Sequence, residues 1–171
     1  MKREEIKSKI RESLPSVSET DYGEDRYKDH LMDMYKLYLE MTDRISQRRS
    51  SANTWFLTLN TALLTAIGLF LTKNIHSFIF VLISIAGIVV CYQWHRLIIS
   101  YKQMNTGRFN VILAIEEMLP LKIYSAEWIA LGEGKDPEIY KPFTDVEKRV
   151  PIVFGWLYFG MIVAYVTMKF F

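Results

Sequence analysis

The side chains able to do acid–base, metal or nucleophilic chemistry are few: His30, His76 and His95, the single Cys91, and the adjacent acids Glu116 and Glu117. A metal centre needs three or four such ligands converging on one point. The histidines stand in three different segments, and one cysteine builds neither an internal disulfide nor a cysteine-based cluster. Cys91 sits in an apolar run, where a buried, inert thiol is the ordinary outcome. Glu116 and Glu117 diverge by about 100° on a helix, which reads as a solvated face and not as a catalytic pair. No G-x-S-x-G, Walker A or H-E-x-x-H occurs. The expectation is a protein with no catalytic residue, no cofactor and no metal, and not an enzyme.

What remains is a pattern of weakly polar residues. Thr54, Thr58, Thr61, Thr65, Gly68 and Thr72 alternate at spacings of four and three, and the same steps traced back meet Ser51, Gln47, Arg44 and Glu40. Such a stripe can line a water-filled pore. It can also let transmembrane helices approach closely, because small residues keep backbones near one another. Ser77, Ser84, Gly87 and Cys91 form a similar seam in the next apolar run, and Gly160 with Ala164 in the last. These matching seams favour packing, with the first two runs predicted to meet along them. Asn60 lies off the stripe and inside the bilayer. An amide there must find a partner, through an intersubunit hydrogen bond or a part in conduction.

The elements that carry these residues follow from charge and length. Residues 50–72 and 74–95 contain no Asp, Glu, Lys or Arg, and Lys73 alone separates them. Each run matches the roughly 20 residues a helix needs to cross a bilayer core of about 30 Å. Residues 73–77 leave room only for a tight turn, so the two runs form a transmembrane hairpin. Residues 150–168 are again free of charge and make a third span. The fold class is an all-α integral membrane protein with three transmembrane helices, the first two extended into a cytoplasmic helical layer. In order, the chain comprises a polar N-terminal segment (1–23), a cytoplasmic helix continuous with TM1 (24–53), TM1 (54–72), TM2 (77–97), a cytoplasmic helical region (98–149) and TM3 (150–168). Arg44, Arg48 and Arg49 precede TM1, and Arg96, Lys102 and Arg108 follow TM2. By the positive-inside rule these ends face the cytoplasm, the N-terminus with them, and the C-terminus is external. Trp55, Tyr92 and Trp94 fall near the inner boundary, where interfacial aromatics belong.

The polar segments have their own periodicity. Ile6, Ile10 and Leu14 recur every fourth residue, enough for a short frayed helix before a linker. Leu31, Met34, Tyr38, Met41 and Ile45 alternate at three and four, a seam suited to coiled-coil contact between subunits. No Pro or Gly falls between Glu24 and Gly68, so one helix should run from the aqueous phase through TM1. TM2 should run on past Gly107 until Pro120 ends or kinks it. Ser125 is placed to cap a short helix that closes at Gly132. Thr144-Asp145-Val146-Glu147 reads as a capping box that starts the last helix, and Pro151 should then kink it near the membrane face.

The net charge of +2, with 21 basic against 19 acidic residues, argues against nucleic-acid binding. The N-terminal MKREEIKSKI has no apolar core and is not a secretory signal.

Two stretches carry a resemblance. YKLYLEMTDRISQRRSSANTWFLTLNTALLTAIG and EWIALGEGKDPEIYKPFTDVEKRVPIVF together resemble the RipA-type octameric membrane proteins, a family of small bacterial inner-membrane proteins. The likeness covers residues 25–171. It implies a homo-octamer of eight subunits. It also implies that Arg48, Arg49, Asn53 and Asn60, the Leu131-Gly132-Glu133-Gly134 turn, Glu147 and Pro151 are family features. A weaker likeness is to the SLATT-type membrane effectors, which share a basic helix before a two-helix hairpin; the third span and the GEGKD loop depart from that pattern. The expected function is a non-enzymatic, ring-shaped inner-membrane scaffold or stress-adaptation complex. The alternative is an oligomeric pore gated by its cytoplasmic region. The expected partners are the lipid bilayer and further copies of the chain, with an unidentified protein on the cytoplasmic side as the remaining candidate.

Overall fold

A chain that must satisfy its backbone hydrogen bonds inside lipid has only helices and closed barrels available, and this one is built of helices. The computed structural model describes residues 2–72 and 77–170, and for residues 2, 3, 24, 71, 72, 77 and 170 the backbone alone. The turn expected at 73–77, with Lys73 and His76, therefore lies outside the described residues, as do the side chains of Thr72 and Ser77. In order the elements are α1 (Lys2–Ser13), α2 (Glu19–Tyr22), α3 (Glu24–Thr72), α4 (Ser77–Glu116), α5 (Ile123–Ala130), a 3-10 turn (Gly132–Gly134), α6 (Phe143–Glu147) and α7 (Arg149–Phe170). Three of them, α3, α4 and α6–α7 taken together, contain segments long and apolar enough to cross a membrane. The protein is an all-α membrane protein with three spanning segments.

Both long helices are as continuous as their sequences predict. α3 runs 49 residues with Gly68 as its first glycine, and α4 runs 40 residues straight through Gly107. α4 stops at Glu116, where tighter turns bond Met118 N to Ile115 O and Leu119 N to Glu116 O. Pro120 follows and excludes another helical turn.

Two local expectations fail, for the same reason. Thr144-Asp145-Val146-Glu147 does not form a capping box. α6 begins at Phe143 with Pro142 before it and no side-chain cap, and both Thr144 and Glu147 are engaged by Arg49 instead. Nor does Ser125 cap α5. The helix starts two residues earlier, and its first free amides bond a carboxylate from another helix. In each case a long-range partner outcompetes a local one of about 1 kcal/mol. At Pro151 the last span is interrupted: α6 ends at Glu147, Lys148 forms a turn and α7 begins at Arg149, because proline has no N–H to bond the carbonyl four residues back.

The folded chain divides into two compact units: Met1–Gln47 with Gln103–Lys141, and Arg48–Lys102 with Pro142–Phe171. α3 and α4 each contribute to both. The first unit has a core of Tyr35, Ile112 and Ile115, against which Leu14, Leu31, Tyr38 and Leu39 pack. The second, here called the membrane unit, holds the apolar runs and has a core of Ile67, Phe80, Cys91 and Tyr158.

Candidate functional site

In the membrane unit Asn60 and Ser84 point inward and bond groups of the protomer itself. Asn60 is completely buried. Its Nδ2 donates to the Phe56 carbonyl at 2.8 Å, its Oδ1 accepts from the Cys91 thiol at 3.2 Å, and its backbone carbonyl accepts from the Tyr158 hydroxyl at 3.2 Å. One residue thus ties α3 to α4 and α7. This corrects the expectation for Asn60: the amide is neither an intersubunit contact nor exposed to a conduction path. The Ser84, Gly87 and Cys91 seam of α4 does pack, against α7. A Cβ placed on Gly87 would lie 2.5 Å from the Tyr158 ring, so only glycine lets that ring reach α4.

Trp94 is buried as well, which corrects its assignment as an interfacial anchor; Trp55 and Tyr92 are the exposed aromatics. The Trp94 indole N–H donates to Asn53 Oδ1 at 2.9 Å, and its ring stacks on Phe56 and meets Phe154. A layer of charge lies beside it in sequence and in space. Arg49 donates to Thr144 Oγ1 at 2.8 Å and pairs with Glu147, the two side chains being 17% and 30% exposed. His95 Nδ1 lies 3.3 Å from the Lys148 carbonyl, and Asp145 is paired with Lys148 and Lys102. The Lys148 bond, the largest cause, holds the Asp145 carboxyl below its ordinary range. Arg49 and Glu147 therefore fasten α6 to α3, Asn53 ties α3 to α4 through Trp94, and Pro151 at the head of α7 is fully buried. Arg48 points out to the exposed side.

The threonine stripe lies elsewhere. Thr54, Thr58, Thr61, Thr65 and Gly68 are all exposed on the protomer, while Asn60, Leu63, Leu64 and Ile67 face the core. The expected packing of this stripe on TM2 is overturned: the inward face of α3 is the more apolar one with Asn60 in it. Each threonine hydroxyl donates to its own helix, Thr54 to Ser50 O, Thr58 to Thr54 O, Thr61 to Leu57 O and Thr65 to Thr61 O, at 2.9–3.1 Å. Their donors are used, so the face presents methyl groups and acceptor oxygens. It is smoother and less polar than its composition suggests.

In the first unit the residue that sequence reasoning misread is Glu116. It is 1% exposed and not part of a solvated face. Its carboxylate accepts from Tyr124 N at 2.7 Å, Ser125 N at 3.1 Å and the Tyr35 hydroxyl at 3.3 Å. It acts as a remote N-terminal cap for α5, filling the place that free first-turn amides demand. Burial, then the charge of Glu116, pushes the Tyr35 phenol up to about 12. Glu117 beside it is paired with Arg11 of α1. The available signal was Pro120, which turns the chain back so that the start of α5 meets the end of α4.

The coiled-coil seam splits in two. Leu31 and Tyr38 pack inside the unit, which removes them as intersubunit candidates. Met34 and Met41 stay exposed, with Leu37 between them, and Ile45 is half-buried. The turn after α5 has three successive positive φ angles, 62°, 55° and 66° at Gly132, Glu133 and Gly134. Trp128 presses on it, 3.0 Å from where a Gly134 Cβ would be. Its residues close a helix.

His30 bonds the Tyr22 hydroxyl at 2.8 Å, and no group of three metal-ligating side chains occurs among the described residues. Comparison with curated proteins and with solved structures found no match. The model of the octameric membrane protein family matches residues 32–167, which takes in the first two spans, the third to within a residue of its end, the Arg49–Glu147 tie and the turn at Gly132–Gly134. By that match the chain belongs to the octameric membrane protein family.

Proposed function

We propose that the protein acts as a ring of eight identical subunits in the bacterial inner membrane, a non-enzymatic scaffold or stress-adaptation complex, with the N-terminus cytoplasmic and the C-terminus external. One observation carries this reading. Inside the bilayer the protomer satisfies its polar side chains with its own groups, yet leaves the small Thr54–Gly68 face of α3 bare. A face of methyls and small residues gains most by close contact with another helix, since lipid tails and leucine are equally apolar. Head-to-tail use of that face against a different face of the neighbour closes a ring. The exposed Met34, Leu37 and Met41 offer the corresponding contact outside the bilayer, in coiled-coil register. A partner protein on the cytoplasmic side would compete for the same surface.

The pore reading rests on the same bare face. Turned to the ring axis, its acceptor oxygens would line a lumen. Thr61→Cys in a Cys91→Ser background distinguishes the two; serine keeps the donor that Asn60 accepts. Packing predicts no reaction with small water-soluble thiol reagents and a Thr61→Leu chain that fails to assemble. Fast labelling in an intact ring would overturn the packing reading.

A further inference from the structure

We propose that the outer face of α4 is a binding site for an anionic phospholipid, with the phosphate on Arg96 and Tyr92 and an acyl chain along Val89, Ile85 and Leu82. Those residues repeat at three and four along one side of the helix, and Leu82, Ile85, Val89 and Tyr92 are each about half exposed. At the top of the stripe an open groove of about 400 Å³ is bounded by Tyr92, Gln93, Arg96, Leu97 and Ser100. Arg96 donates to the Tyr92 hydroxyl at 3.4 Å and has no carboxylate partner among the described residues. Arg49, Lys102 and Lys148 in the same unit do have one. The guanidinium and the phenol proton are therefore both available to one anion, and a guanidinium matches the oxygens of a phosphate.

The dimensions fit one leaflet. Half of a bilayer core is about 15 Å, which is about ten residues of helix, the distance from Tyr92 to Leu82. Arg96 is the first charge after the apolar run, one turn beyond Tyr92, at headgroup depth. Side-chain size separates this face from that of α3. Leu, Ile and Val hold neighbouring helices apart and suit an acyl chain, whereas threonine and glycine suit a second helix.

The test uses the full-length oligomer in mild detergent, equilibrated with phosphatidylglycerol or phosphatidylcholine of equal chain length. Retained lipid is counted by native mass spectrometry. Wild type should keep phosphatidylglycerol preferentially, near one per subunit. Arg96→Gln with Tyr92→Phe should weaken that retention about tenfold without changing oligomer size. Arg149→Gln, an exposed cation on α7 outside the groove, should leave it unchanged. Dihexanoyl phosphatidylglycerol should be held less well, its chains being too short to reach Ile85. Unchanged retention in the double variant, or an equal loss in Arg149→Gln, would overturn the site. Short and long chains held alike would overturn the acyl track and leave only an anion contact. Dissociation of the oligomer by the double variant would assign the face to a neighbouring subunit instead.

Discussion

Gly87→Ala is the smallest change that should separate the three spans. The added Cβ would stand 2.5 Å from Tyr158 Cζ and 2.6 Å from both adjacent ring carbons. Ordinary carbon contacts begin near 3.5 Å, so the ring must retreat by about 1 Å. It has nowhere to go, because Tyr158 is fully buried and its hydroxyl is committed to the Asn60 carbonyl at 3.2 Å. Overpacking costs about 1–3 kcal/mol, and losing the hydrogen bond about 1 kcal/mol more. Alanine recovers about 1 kcal/mol through helix propensity. The net expectation is a loss of about 1–3 kcal/mol. Tyr158→Leu should relieve the clash, so the double variant should be more stable than the two single changes predict, by a coupling of about 1–2 kcal/mol. Gly155→Ala is the control, since its Cβ would meet Cys91 at an unstrained 3.9 Å. Unfolding of the detergent-solubilised protein in a denaturing surfactant, followed by tryptophan fluorescence, gives all four values. If Gly87→Ala matches Gly155→Ala in stability, or adds simply to Tyr158→Leu, then α7 does not seat on α4 through this glycine.

Two further outcomes follow from the polar ties. Glu116→Ala should expose the first turn of α5 and cost about 1–3 kcal/mol; amide exchange at Tyr124 and Ser125 should accelerate, and unchanged protection there would refute the remote cap. Arg49→Met and Glu147→Gln should each weaken the seat of α6 by about 1–3 kcal/mol, less than for a wholly buried pair because both side chains keep some solvent. The double variant should cost little more than either alone, and strictly additive losses would show that the pair is not a unit.

The sequence by itself determined what depends on local chemistry. Stretches without formal charge specified three spans, the absence of proline between Pro15 and Pro120 allowed two long helices that run on through Gly68, Gly87 and Gly107, and the left-handed turn at Gly132 followed from backbone sterics. The family resemblance rested instead on two particular stretches, 35–68 and 127–154. Tertiary structure alone decided which side of each helix faces inward. In TM1 the threonine stripe looked like the packing face, yet Asn60, Leu63, Leu64 and Ile67 turned inward and Thr54 to Gly68 outward. A span surrounded by lipid lacks the polar–apolar contrast that marks the inside of a soluble helix, because a lipid tail and a leucine side chain are equally acceptable neighbours. Periodicity therefore finds a stripe but not its destination. The same limit applied to Glu116, Thr144 and Glu147. Each had a plausible local role, and each was claimed by a partner that only the fold brings near, Tyr124 and Ser125 in the first case and Arg49 in the other two. Once water is excluded, a buried charge must find the nearest donor in space, and no spacing along the chain records which one that is.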